Sequence, residues 1–541
     1  LLLSACGPAG TPTSNTGNNK PVRGGVWVDD FVNVPDSLIP NLSTQTFSVM
    51  AMQALYTPLF YGDPSGQIHP GLAKELPTVA NGGVSADAKT WTFRLRPGLV
   101  WSDGVPITAD DIDFTWKLWL NPKFGAAGTA TLRKIASADV SADKLSITFH
   151  LKVSYAPFIV AWTDAGSAPL PMHHFASIAP ETIKKSSDNL NPAVTNGPFM
   201  MSESKPDDHL TMARNPHYYL ASQGLPYLDK IVFRLVGNQN TILKDLQSDS
   251  ITSAWFLDVA KLKSYQALTN YTVVTGTGAS YEGLHFDLNN PALKDVNVRK
   301  AIAMAVNRDE LVKTARQGLA IAGCTDHSKD YHPGYHPDAQ CLSFDLNAAN
   351  KLLDDAGWVK GADGVRQKNG LRLEFQYSTV AQIVWRQQDE ELNQANFQKI
   401  GIKVNIQNYP ASTFFSTFLG TGIPGKYDIG EWATSYAYDP NNEGSFACSQ
   451  VPPNGSNFNF YCNPQLDALF TQEQATADPT ARQQIFNQID SILLTDLPIV
   501  PMFYPSDLSV VRKTGRSYQP GPFGASETVN VWTWWCAGGK C

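Results

Sequence analysis

The chain has 541 residues, of which 43% are hydrophobic and 17% charged, and its net charge is −7. That length exceeds what one hydrophobic core organises and amounts to roughly three to four domains' worth of chain. No run of about 18 or more apolar residues is present, so no segment reads as a membrane-spanning helix. No block of clustered Lys and Arg exists to neutralise phosphates, which argues against nucleic acid as a partner.

In chain order, Leu3-Ser4-Ala5-Cys6-Gly7 resembles a bacterial lipobox, with cleavage before Cys6 and lipid on its sulfur. Residues 7–20, GPAGTPTSNTGNNK, show no apolar period and read as a flexible tether. Several acyl chains on one cysteine would hold the protein at a bilayer, since each buried CH₂ contributes about 0.8 kcal/mol. The expected location is therefore the bacterial cell envelope, on the outer face of the cytoplasmic membrane. Arg23 to Asp30 predicts a first strand, and Met50 to Leu59 a first helix ending near Pro58.

Trp91 to Leu120 is the most informative stretch. Trp91, Phe93 and Leu95 alternate with Thr92, Arg94 and Arg96, the period of a half-buried strand. Pro97-Gly98 and Asp103-Gly104 turn the chain. Thr108 with Asp111 three residues on predicts a capped helix start. Ile112, Thr115, Trp116, Trp119 and Leu120 then share one helix face. The wording WTFRLRPGLVWSDGVPITADDIDFTWKLWL resembles the signature of the oligopeptide and dipeptide-binding solute receptors that feed ABC importers, F-x-L-R-x-G-V-x-W-x-D-G-x-P-x-T-A-x-D-V-x-F-x-W after a leading aromatic.

Further elements resemble the same family in the same order. They are Asn196-Gly197-Pro198-Phe199, Arg214-Asn215-Pro216-His217-Tyr218, and Leu225-Pro226-Tyr227-Leu228-Asp229-Lys230-Ile231. Leu284, Phe286 and Leu288 alternate as a strand, which Asn289-Asn290-Pro291 breaks. A helix follows with Val298, Ala301, Ile302, Ala305 and Val306 on one face, and Asn307 with Glu310 starts another. Asp345 opens a helix that Gly357 ends as a left-handed cap. FQKIGIKVNI, residues 397–406, reads as a helix end leading into an edge strand. No internal repeat is visible.

The resemblance spans about residues 21 to 515 and implies an α/β, two-lobed periplasmic-binding-protein fold (type II, the large cluster C type) with an extra subdomain on lobe one. After the tether (1–20), lobe one would take 21–60, 196–284 and 498–541, the insert 61–195, and lobe two 285–497, with crossings near Leu284 and Leu497-Pro498. By the same matching, ligand-binding positions fall on Phe31, Val32, Asn33, Val34, Trp255 and Phe256 in lobe one, with Tyr504 on the returning segment. On lobe two they fall in GEWATSYAYDPNNEG, at Trp432, Ser435, Tyr436, Tyr438 and Asp439. Rigid rings supply contact area at low entropic cost and accept varied ligands.

Two departures from the family pattern bear on the ligand. The family's amine-binding aspartate, three residues after the loop tryptophan, is Ser435 here, and the loop is one residue longer before Asp439-Pro440. Where dipeptide binders carry a carboxylate-clamping arginine, this chain has Thr379, Val380 and Ala381, with Arg386 some residues later. Without those charges the cleft suits a longer peptide held by its backbone, or a neutral solute such as an oligosaccharide stacked on Trp and Tyr. Trp532, Trp534 and Trp535 are expected to pack against lobe one.

Six further cysteines fall into three sequence-adjacent pairs, and in an exported chain disulfides persist, so the expected pairs are Cys324 with Cys341, Cys448 with Cys462, and Cys536 with Cys541. Six cysteines allow 15 pairings, and no CxxC spacing points to zinc instead. His327, His332 and His336 with Asp326 and Asp330 read as a solvated loop clipped by a disulfide, so no metal is expected. No GxSxG, HExxH, Walker or GxGxxG motif appears. The expected protein is a monomeric, lipid-anchored receptor without cofactor or enzymatic activity, capturing oligopeptides for a transmembrane ABC permease. The same role for an oligosaccharide is the alternative, and a secreted hydrolase or an adhesive lipoprotein are the rival classes.

Overall fold

The computed structural model describes residues 20–205, 207–329, 334–381, 383–410, 413–419, 427–436, 438–452, 455–522 and 527–541. Cys6, Asp330 and His332 lie outside them. No helix among the described residues is long and apolar enough to cross a membrane.

One strand organises the molecule. Ile499–Arg512 is 14 residues long. Through Ser506–Arg512 it pairs antiparallel with Tyr271–Thr277, and through Ile499–Phe503 with Ser280–Phe286. It thereby joins the two halves of the sheet. On one side the sheet continues through Ser253–Ala254, Val26–Phe31, Lys230–Leu235, His209–Arg214 and Phe199–Lys205. On the other it continues through Ile429–Ser435, Glu374–Ser378 and Lys403–Ile406, the last an edge strand as the sequence indicates. Val26–Phe31 lies parallel to both Lys230–Leu235 and Ser253–Ala254.

The signature stretch forms a separate small body. Thr90–Arg94, Ser146–Leu151 and Ile135–Val140 make a three-stranded antiparallel sheet. The helix Ala109–Leu120 covers it, with the Thr108 amide donating to Asp111 Oδ2 at 2.8 Å. Ile112, Thr115 and Trp119 are buried as the period requires, while Trp116 and Leu120 are half-buried and Leu118 is buried beside them. The core is aromatic: Trp162 stacks on Trp119 and Phe149 at 5.7 and 5.5 Å, and Phe93 meets Phe149 edge-on at 5.7 Å. Rings in offset and edge geometries add about 0.5–1.5 kcal/mol per pair beyond area burial.

Other caps follow the sequence. Asn307 accepts from the Glu310 amide and Asp345 from the amides of Asn347 and Ala348, while Gly357 sits at φ +83°. The first strand and helix are Val26–Phe31 and Thr46–Leu55, each displaced a few residues from expectation. Trp534 is buried against Trp27 at 4.6 Å and Tyr518 at 5.1 Å, so it packs in the first lobe. The disulfides join Cys324–Cys341, Cys448–Cys462 and Cys536–Cys541. One expectation is corrected: the segment after Cys324 is not a solvated loop. Thr325, Asp326, His327 and Ser328 are all buried, because Tyr504 Oη bonds Thr325 Oγ1 at 2.8 Å and Tyr436 stacks on His327 at 4.3 Å.

Candidate ligand-binding cleft

A small cleft lies where the end of helix Thr46–Leu55, the strand Phe60–Gly62, the segment around Asp164 and the pair Tyr218-Tyr219 converge. Its walls are aromatic: Tyr56, Tyr61, Tyr218, Tyr219 and Trp532 line it, and Tyr438 enters from the loop after strand Ile429–Ser435. Tyr61 meets Trp532 edge-on at 5.1 Å and stacks on His69 at 5.6 Å. Tyr218 and Tyr219 touch at 4.9 Å, and the Arg96 guanidinium lies 5.5 Å from the centre of the Tyr219 ring. Gly62 leaves room for Tyr438, since a β-carbon there would overlap its ring.

Asp164 is the acidic group on this wall. Its Oδ1 accepts from the Gly166 amide at 2.7 Å, and burial pushes its carboxyl above the usual range. Burial, followed by the nearby Asp164 and Asp63 charges, likewise raises the Tyr438 phenol. A ligand amine placed beside Asp164 would favour its charged form and gain a charge-assisted hydrogen bond.

Of the twelve ligand positions read from the sequence, Tyr438 lines this cleft. Phe31 is buried against Phe233 at 4.4 Å and Phe47 at 5.0 Å. Val32 is half-buried, and Asn33 and Val34 are exposed. Trp255 is buried, edge-on to Phe47 at 6.0 Å, and it touches Phe256, which is 53% exposed. Phe31 and Trp255 follow paired positions of adjacent parallel strands, Asp30 opposite Ala254, so the two segments leave the sheet side by side.

On strand Ile429–Ser435, Trp432 is buried and lies over His285 with ring centres 3.6 Å apart, flanked by Phe414 and Tyr427. Ser435 is exposed. Tyr436 Oη donates to Asp326 Oδ2 at 3.3 Å, and Tyr504 Oη meets the carbonyls of Thr325 and His327 at 3.0 and 3.1 Å. Both tyrosines thus brace the segment after Cys324. Asp439 is held by Arg482 through both oxygens, and Arg482 Nε also donates to Glu473 at 2.9 Å. Arg386 makes a two-point pair with Glu282, both bonds 2.9 Å. These two charges serve internal pairs.

Sequence reading missed Asp164, Tyr61, Tyr219 and the outward role of Trp532. Only the doubled Tyr218-Tyr219 offered a local signal. Residues 67–454 match a family model described as bacterial extracellular solute-binding proteins, family 5 (middle). The oligopeptide-binding protein AppA of Bacillus subtilis is 24% identical over 547 residues, covering 99% of this chain and 96% of its own. The structure of Bacillus subtilis AppA in complex with a nonapeptide aligns with TM-score 0.73 at 22% identity, covering 96% of this chain and 100% of that one. That of the ABC transporter substrate-binding protein CtaP of Listeria monocytogenes aligns with TM-score 0.81 at 22% identity, covering 95% and 100%. The fold is accordingly the two-lobed, type II architecture of periplasmic binding proteins. Matched by the family model over well more than half its length, the chain belongs to the bacterial extracellular solute-binding proteins of family 5, which bind solutes rather than transform them.

Proposed function

We propose that this protein is the lipid-anchored, monomeric receptor of an ABC importer, capturing oligopeptides between its lobes and handing them to a transmembrane permease. The observation that carries the reading is the entry of Tyr438, from the second lobe, into a cleft otherwise walled by the first lobe and its insert. A ligand touching both sides is bound fully only when they close, so its differential affinity shifts an open–closed equilibrium. The oligopeptide-binding relatives named above favour a peptide ligand. Asp164 would receive the peptide's ammonium in place of the aspartate that Ser435 replaces. The twelve positions read from sequence remain part of the proposal, with Asn33, Val34, Phe256 and Ser435 as exposed contacts and the buried rings behind them. Cys6 would carry the lipid.

The lobe division read from sequence, with crossings near Leu284 and Leu497-Pro498, is retained as a proposal. A second reading, an oligosaccharide or other neutral solute, is favoured by the ring-rich wall and by the internal pairing of Asp439 and Arg386. Native mass spectrometry of the freshly purified protein, followed by thermal shift with peptide and oligosaccharide pools, separates the readings. Ligand at about 100 times Kd adds about 2.7 kcal/mol to stability. A peptide mass and a peptide-specific shift are expected. A shift with oligosaccharide alone supports the second reading, and turnover of either pool would overturn both.

A further inference from the structure

We propose that Asp326, His327 and Asp490 form a binding site for one divalent cation of the zinc class, buried in the second lobe behind Tyr436 and Tyr504. One ligand atom from each residue lies within 4.8 Å of the others. Donors about 2.0–2.2 Å from zinc in a tetrahedral shell are about 3.3–3.6 Å apart, so the three side chains would draw together around the ion. All three side chains are nine-tenths or more buried: Asp326 is 4%, His327 1% and Asp490 2% exposed.

The residues come from two places that the fold brings together. Asp490 projects from helix Pro479–Asp496, while Asp326 and His327 follow Cys324, which the disulfide to Cys341 ties down. Asp326 is oriented as an outer shell would orient a metal-binding carboxylate: Oδ2 accepts from Asn442 Nδ2 and Tyr436 Oη, and Oδ1 lies 3.2 Å from His327 Nδ1.

Asp490 supplies the independent sign. Its Oδ2 meets no N–H or O–H donor among the described residues, and its neighbour is the Asp326 carboxylate itself. Asp326 has His327 as its ion-pair partner at 3.2 Å, and no Lys or Arg among the described residues pairs with either aspartate. Two buried carboxylates side by side require a cation or a shared proton. A small recess bordered by Thr325, Asp326, Asp490 and Leu494 adjoins both carboxylates. An imidazole beside two carboxylates selects a zinc-like ion over Ca²⁺ or Mg²⁺, which prefer all-oxygen shells.

The test uses the whole untagged protein, dialysed against EDTA and then against buffer. Calorimetric titration with ZnCl₂ is expected to show one tight equivalent and a raised melting temperature, neither occurring with CaCl₂. Asp490→Asn, which keeps the shape, should weaken that equivalent at least a hundredfold and remove the zinc-induced shift. Equal zinc binding by the wild type and Asp490→Asn, or none by the wild type, overturns the proposal and leaves a carboxyl pair sharing a proton. Should the variant not fold, X-ray absorption of the zinc-loaded wild type decides: one imidazole in an oxygen-rich shell is expected, and sulfur or several imidazoles would refute the site.

Discussion

The Tyr438 ring, carried by the loop after strand Ile429–Ser435, occupies the space that a β-carbon on Gly62 would fill. Any side chain at 62 must push the ring away and with it the contact that joins the two walls of the cleft. Gly62→Val is therefore expected to raise Kd for oligopeptides at least tenfold, about 1.4 kcal/mol. Small-angle scattering with saturating peptide should show a larger radius than wild type. An unchanged Kd would separate Tyr438 from ligand capture.

In the proposed function Asp164 is the acid that meets a peptide's ammonium, and burial raises its carboxyl. Replacing it by Asn removes the charge but keeps the bond that Oδ1 accepts from Gly166. Peptides with a free amino terminus are expected to lose about 1.5–3 kcal/mol of affinity, as for a hydrogen bond to a charged group. N-acetylated versions of the same peptides should bind both proteins alike. Equal losses for both peptide sets would reduce Asp164 to a wall residue.

Local signals were the readable part of this chain. Thr108 with Asp111, Asn307 with Glu310, and Asp345 each announce a helix start within four residues, and each helix begins there. The cleft has no such grammar. It gathers Tyr56, Asp164, Tyr219, Tyr438 and Trp532 from across the whole sequence, and no period marks them. Burial of single aromatics was equally hidden. Trp432 stands in a polar loop-like sequence, yet His285 from the neighbouring strand covers its face. Asp326 and His327 read as solvated for the same reason: the helix carrying Asp490, and the tyrosines that bury them, lie far along the chain.

Arg482 holds Asp439 and Glu473 together in a buried setting, with its guanidinium 5.1 Å from the centre of the Phe486 ring. Arg482→Met keeps most of the volume but leaves two carboxylates without a cation. Breaking a buried pair in this way costs about 3–5 kcal/mol. Burial already pushes Glu473 up to about 7 even with Arg482 present. Without Arg482 the folded protein keeps Glu473 protonated to higher pH while the unfolded chain ionises, a penalty that grows with pH, so the deficit should be larger at about pH 8 than at about pH 6. Urea unfolding followed by tryptophan fluorescence measures it, and a deficit independent of pH would contradict the assignment.

His285 lies under Trp432 with the ring planes 10° apart, and burial pulls its imidazole down to about 3. In the unfolded chain a histidine titrates near about 6.5, so unfolding takes up a proton throughout the interval between. The stability held in the neutral imidazole is complete above about pH 6.5 and is lost as pH falls towards about 3, amounting to about 2 kcal/mol by pH 5. Other buried acids, such as Asp29 raised to about 7 and Asp30 to about 8, slope the opposite way, so the comparison must be with a variant sharing them. His285→Phe keeps a ring beneath Trp432 and cannot titrate. Urea unfolding at about pH 7 and about pH 5 should show the wild type losing about 2 kcal/mol more than the variant. If the two proteins change in parallel, the ring facing Trp432 is already open to protonation in the folded state.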